Sequence, residues 1–183
     1  MSAKLILASK SPRRKQLLEL AGIDFEIVTK ETDESYPEGM NIPEVPVYIA
    51  LKKAKDIQAD HPERKILAAD TIVVLDDRII GKPTDREDAI QILSSLSGRT
   101  HKVITGVVLL KANQVIRFSD ITEVEFHPIT QEDIEYYIDQ FKPYDKAGAY
   151  AIQEWIGAIA IKRINGCFYN VMGLPVSRLL RSL

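Results

Sequence analysis

From Lys65 to Leu75 the chain is apolar at almost every position, broken by Asp70-Thr71. A run apolar on both faces predicts a strand in the middle of a covered sheet. Lys4 to Ala8 predicts a shorter buried strand, and Phe25 to Val28 another. Between them, Ser11 is a good N-cap, Pro12 a good first helical residue, and Gly22 a C-cap for the intervening helix. A polar loop follows from Thr29 to Pro43, carrying Glu31, Asp33 and Glu34. Ile49, Ala50, Ala54 and Ile57 recur at helical spacing and predict a helix over Val45–Ala59.

Thr84-Asp85-Arg86-Glu87 has the capping-box pattern and opens a helix to about Leu96, with Gly98 behind it. Lys102–Leu110 and Val115–Phe126 read as two long strands joined near Asn113. Thr130–Gln140 predicts a capped helix with Ile134, Tyr137 and Ile138 inward. Ile156–Ile164 and Cys167–Val171 predict a second hairpin across Asn165-Gly166, a type I′ signal. Leu174–Leu183 ends the chain as a helix with Pro175 in its first turn. Early alternation of strand and helix, followed by hairpins, predicts a mixed α/β sheet flanked by helices and not an all-parallel fold.

Composition narrows the function classes. With 183 residues, 45% of them hydrophobic, the chain can build one proper domain, and a net charge of -2 argues against a nucleic-acid polymer as partner. Cys167 is the only cysteine, so no intramolecular disulfide or cysteine zinc site is expected. His61, His101 and His127 show no ligand spacing. No stretch is long and apolar enough to span a membrane, so a soluble, cytoplasmic protein is expected.

The candidate chemistry is anionic recognition. Arg13 and Arg14 sit in the first turn of a helix, where the dipole disfavours cations, and this suggests a bound anion; two solvated surface arginines are the alternative. Asp70 interrupts a buried strand with a carboxylate that is costly to bury unpaired. It could cap or satisfy a buried network, hold Mg²⁺, or take a proton from water. Lys52, Lys53 and Lys55 lie on one predicted helix, Lys82 stands between Gly81 and Pro83, and Asp145–Tyr150 forms a compact loop of small and charged residues. Each lysine could equally be a solvated charge. Neither GxxxxGK[ST] nor GxGxxG occurs, which removes the P-loop and the usual dinucleotide readings. Cations from several segments with Glu34 and Asp70 suit a Mg²⁺-bound polyphosphate.

Together, Ser9-Lys10-Ser11-Pro12-Arg13-Arg14, Ala69-Asp70-Thr71, Gly81-Lys82-Pro83, Leu96-Ser97-Gly98 with His101 and Thr105, Asp145-Lys146-Ala147-Gly148-Ala149-Tyr150 with Gln153, and Gly173-Leu174-Pro175 resemble the Maf family. The resemblance runs from about residue 4 to 180. It implies a single domain over the whole chain, with an elongated mixed sheet, two lobes and a central cleft, similar to the inosine-triphosphate pyrophosphatases. It implies hydrolysis of a nucleoside triphosphate to monophosphate and pyrophosphate, with Mg²⁺ or Mn²⁺ as cofactor and a homodimer as common state.

Carried over residue by residue, the resemblance makes Asp70 the proton acceptor and puts phosphate on Ser9, Arg13, Arg14, Lys53 and Lys82. Glu34 takes the additional acidic position, with Asp33 a competitor, and Asp70 and Glu34 are the implied metal ligands. Arg13, Thr71 and Gln153 map to positions linked to base choice. Pro-Arg-Arg with Tyr150-Ala151-Ile152-Gln153 resembles the dTTP/UTP branch, and an amide such as Gln153 can pair with the edge of uracil or thymine. Ala151 and Glu154-Trp155-Ile156 depart from that branch, which commonly has glycine there. A 7-methyl-GTP or other modified-nucleotide pyrophosphatase is one alternative. A nucleotide-sensing regulator of division without turnover is another.

Overall fold

The computed structural model describes residues 4–111 and 114–183, so the turn expected near Asn113 lies outside the described residues. Seven strands are present among them: β1 (Leu5–Leu7), β2 (Phe25–Ile27), β3 (Ile66–Leu75), β4 (Arg78–Ile80), β5 (Thr100–Lys111), β6 (Gln114–Phe126) and β7 (Ile161–Asn165). They form one sheet in the order β2-β1-β3-β5-β6-β7, with β4 also paired to β3. β1 runs parallel to β2 and β3, whereas β3–β4 and β6–β7 are antiparallel, so the expected mixed sheet is present. The chain divides into two compact units, the first comprising residues up to Thr71 with Thr105–Asp120 and Gly173–Leu183. The second comprises Ile72–Ile104 and Ile121–Met172.

In the first unit, α1 (Pro12–Leu20) and α2 (Val45–Gln58) follow the predicted boundaries closely. The apolar face of α2 places Ala50, Ala54 and Ile57 against Ile6, Ile66 and Val108 in a dry core. Gly106 on β5 lets the start of α2 approach closely: a Cβ there would lie 2.2 Å from the Val47 nitrogen and 2.3 Å from the Pro46 carbonyl carbon. The C-terminal helix α7 is shorter than expected, Val176–Leu180, with Pro175 as its N-cap.

The second unit buries Val73, Leu93, Val103, Phe126, Tyr137 and Ile156 in a core closed by α3 (Arg86–Leu96) and α4 (Gln131–Phe141). The capping box of α3 lies one residue later than the Thr84–Glu87 pattern. Asp85 accepts from the Asp88 N–H at 2.8 Å, and the Asp88 carboxylate accepts from the Thr84 N–H at 2.9 Å. Aspartate is the stronger cap and wins the position from its threonine neighbour.

The expected second hairpin is absent. Trp155–Ala160 is a helix, α5, and Phe168–Met172 a helix, α6; β7 between them pairs with β6 instead. Gly157 allows the α5 turn, since a Cβ there would fall 1.7 Å from the Ile152 carbonyl oxygen. Gly166 has a positive φ of 136°, but Asn165 does not have one, and a type I′ turn needs positive φ at both central residues. The Thr122 hydroxyl instead caps the chain by accepting from the Cys167 N–H at 3.0 Å.

His101 lies 2% exposed in this core, its Nε2 2.7 Å from the Tyr150 hydroxyl and its ring edge-on to Phe126. Burial lowers its pKa from the ordinary value to about 4. The folded state thus resists protonation between roughly pH 6.5 and 4, and stability is lost as pH falls through that window.

Two outcomes follow from this packing. Gly106→Ala should cost about 2 kcal/mol or more of stability, read as a lower urea midpoint, because the α2 backbone must move. His101→Gln should remove about 2 kcal/mol of the stability loss that the parent protein shows between pH 7.5 and 5, measured as the difference in pH dependence of the two melting curves.

Candidate active site

The two residues that interrupt β3 anchor the site. Asp70 and Thr71 are half-buried between fully buried neighbours. From α2, Lys53 points its ammonium at Asp70, with Nζ to Oδ1 at 2.7 Å. The same Nζ lies 2.7 Å from Glu34 Oε1, so one cation holds two carboxylates. The Lys53 and Asp70 side chains are only 18% and 14% exposed, a partly dry setting in which such charges act strongly. Asp33, the competitor to Glu34, turns elsewhere: the Lys52 ammonium sits 2.9 Å from its carboxylate. The Ser35 hydroxyl and Lys52 hold Asp33 well below the usual carboxylate range. The acidic position beside Asp70 is therefore occupied by Glu34.

Arg14 has a different surrounding from that expected of a phosphate-facing arginine. It is buried, and its Nε donates to the Gly173 carbonyl at 2.8 Å. Nη1 donates to Ser9 Oγ at 3.2 Å and Nη2 to Thr71 Oγ1 at 3.0 Å. Burial lowers its pKa, opposed by the negative charge of Asp70 and then reinforced by Arg13, with Glu34 also opposing. A guanidinium has five N–H donors, so each terminal nitrogen keeps one for a ligand. Ser11 caps α1 without a side-chain bond; its N–H donates to Ser9 Oγ at 3.2 Å, which orders the turn leading to Arg13 and Arg14. Arg13 is half-buried beside them.

Thr105 and Gly173, both within the motifs that resemble the Maf family, belong to this arrangement, though the sequence assigned them no role. Thr71 and Thr105 hydroxyls lie 2.9 Å apart, and a Cβ on Gly173 would meet Thr71 Oγ1 at 3.4 Å. A further hint for Thr105 is a polar residue inside the apolar stretch Val103–Leu110. Ser9, Arg14, Thr71, Lys53, Asp70 and Glu34 are all in the first unit. Lys82 and Gln153 belong to the second, and both side chains are exposed. In the Asp145–Tyr150 segment, Lys146 pairs with Asp145 at 2.7 Å within a 3-10 turn.

Among the described residues, no group of three or more His, Cys, Asp or Glu side chains could hold a metal. Asp70 and Glu34 nonetheless offer hard oxygen donors on one ammonium. Mg²⁺ commonly takes one or two carboxylates and completes its shell with water and phosphate oxygens. The donor set fits a cation that arrives with a phosphate ligand and not a resident all-protein cage.

Arg14→Lys should lower stability by about 2 kcal/mol or more, since one ammonium cannot reach the three acceptors and leaves buried oxygens unpaired. Thermal and urea denaturation of the two proteins would measure it.

The Maf-like protein family model matches residues 4–183. A dTTP/UTP pyrophosphatase of Cytophaga hutchinsonii is 52% identical over 179 residues, covering 98% of this chain and 82% of that relative. A dTTP/UTP pyrophosphatase of Phocaeicola vulgatus is 50% identical over 182 residues, covering 98% and 94%. The solved structure of the Staphylococcus aureus Ham1 protein aligns with TM-score 0.48 and 12% identity over 68% of this chain and 72% of that one. A match that begins at the first buried strand and runs through the Arg14 and Asp70 segments to the last residue leaves no part of the site outside it: the chain belongs to the Maf family.

Proposed function

We propose that this protein hydrolyses dTTP and UTP to the nucleoside monophosphate and pyrophosphate. The observation that carries the chemistry is the Asp70–Lys53–Glu34 cluster, a carboxylate held inside a central strand by a cation that also holds a second acid. The choice of base draws support from relatives of about half identity that bear the name dTTP/UTP pyrophosphatase.

In this reading a water oxygen attacks the α-phosphorus, the bond to the bridging oxygen breaks, and pyrophosphate leaves. Asp70 takes the proton from that water or orients it. Lys53, already paired with Asp70, fixes the carboxylate in one place. Ser9, Arg13, Arg14, Lys53 and Lys82 bind the phosphate oxygens and stabilise charge on the departing group. Asp70 and Glu34 would hold Mg²⁺ or Mn²⁺, which when bound neutralises phosphate charge. Arg13, Thr71 and Gln153 select the base, the amide of Gln153 pairing with the N3–H and carbonyl edge of uracil or thymine. The family resemblance supports a homodimer, and the substrate class supports a cytoplasmic setting. None of the described helices is long and apolar enough to cross a membrane.

The test is pyrophosphate release from dTTP, UTP, CTP and 7-methyl-GTP, with Mg²⁺ and with a chelator. Metal-dependent release from dTTP and UTP is expected, and a preference for 7-methyl-GTP, or binding without turnover, would overturn the reading. Asp70→Asn should lower kcat by about 100-fold or more while dTTP binding persists; near-normal turnover would remove Asp70 from the chemistry.

A further inference from the structure

Gln153 sits in a tight turn in which the Glu154 N–H donates to the Ala151 carbonyl at 3.0 Å. A single buried hydroxyl reaches both ends of that turn. Tyr137, 0% exposed on α4, accepts from the Ala151 N–H at 3.2 Å and donates to the Glu154 carboxylate. The other Glu154 oxygen lies 3.6 Å from the ammonium of Lys146, itself nearly buried. One residue upstream of Ala151, the Tyr150 hydroxyl meets His101 Nε2 at 2.7 Å. Further back, the Gly148 N–H donates to the Gly81 carbonyl at 3.0 Å, which ties the segment to the loop that carries Lys82. Every one of these groups belongs to the second unit. Gln153 alone points outward, an exposed side chain on a backbone fixed before and after it.

We propose that Tyr137 and Glu154 are positioning residues for base selection: the Tyr137 hydroxyl staples the Ala151–Glu154 turn and so presents Gln153 in one backbone setting. The inference rests on the reading that Gln153 contacts the base. Its physical logic concerns discrimination. Uracil offers an N3–H donor beside a carbonyl acceptor, whereas cytosine offers an acceptor beside an amino donor. A glutamine amide carries both an acceptor and donors and can satisfy either base if its backbone is free to shift. Holding the backbone removes that freedom, so a mismatched edge meets an amide that cannot follow it, and ordering is complete before the ligand arrives. Glu154 opens the Glu154-Trp155-Ile156 run, which replaces a glycine-rich follow-on of the dTTP/UTP branch.

The experiment compares kcat/KM for UTP and CTP in the parent protein, Tyr137→Phe, Glu154→Gln and Gln153→Ala, each checked for folding by its melting curve. Tyr137→Phe keeps the ring that stacks on Phe141 and loses only the hydroxyl. It should lower the UTP-to-CTP ratio about tenfold, through KM for UTP and with little change in kcat. Glu154→Gln retains an acceptor for the tyrosine and should keep most of the ratio, which makes it the conservative rescue; Glu154→Ala removes that acceptor, should lower the ratio, and serves if Tyr137→Phe fails to fold, an unchanged ratio in it overturning the staple. If Gln153→Ala collapses the ratio and Tyr137→Phe leaves it intact, the staple is overturned while the base reading stands. If Gln153→Ala itself leaves the ratio intact, the base reading fails and takes the staple with it. An equal fall in kcat for both substrates would mark the hydroxyl as merely structural and would also overturn the proposal.

Discussion

A carboxylate set into the middle of a buried strand must have a cation, and that requirement organises the first unit. Asp70 meets it through Lys53, which only α2 can supply. For the ammonium to arrive, the apolar face of α2 must seat on β1, β3 and β5, and Gly106 must leave room for the helix to start. Stability alone does not call for such a pair. Removing one partner of a buried ion pair costs about 3–5 kcal/mol, yet replacing both partners with apolar groups is often neutral or better. A leucine in place of Asp70 would suit the strand at least as well as the aspartate does. Stability therefore does not account for the charge, and the packing of α2 is what makes it tolerable.

Arg14 shows how one side chain can serve both fold and site. Its donors join the end of β1, the centre of β3 and the turn before α7, segments that are far apart in sequence. A guanidinium is suited to this because its planar fork fixes several acceptors at once, where an ammonium would act as a single point of charge. The cation placed against the helix dipole has its partners in buried oxygens, and its proximity to Asp70 and Glu34 offsets part of the cost of burial. Neither solvated arginine nor pure anion ligand describes it. Arg14 is a brace with donors still available at its edge.

Long periodic elements were legible in the sequence, and so was Asp70. The repeat of Ile49, Ala50, Ala54 and Ile57 leaves only one way to lay α2 on a core, and a charged residue inside an apolar strand stands out without any structure. The region from Trp155 to Met172 was not legible because its elements are too short for periodicity to speak. Five or six residues rich in aromatic and branched side chains fit strand and helix equally, and packing chose: Gly157 against Ile152, and Thr122 against the chain at Cys167. The choice between Asp33 and Glu34 was likewise beyond spacing, since adjacent acids in a loop differ only in which lysine each one meets. Arg14 was identified as special from its place in the helix, but its partners Ser9, Thr71 and Gly173 are contacts that only the fold brings together.

The two units solve related problems with different chemistry. In the first, charged groups hold one another, the Lys53 ammonium pairing with both Asp70 and Glu34. In the second, neutral hydroxyls hold the turn around Gln153: Tyr137 grips a backbone N–H and a carboxylate, and Tyr150 grips a histidine that burial keeps uncharged near neutral pH. Reading a base edge needs donors and acceptors in fixed places and gains little from a strong field, since uracil and cytosine are both neutral. A hydroxyl gives direction without adding charge. Each arrangement is complete within its own unit: the ion-paired Lys53, Asp70 and Glu34 in the first, the Tyr137-held turn in the second.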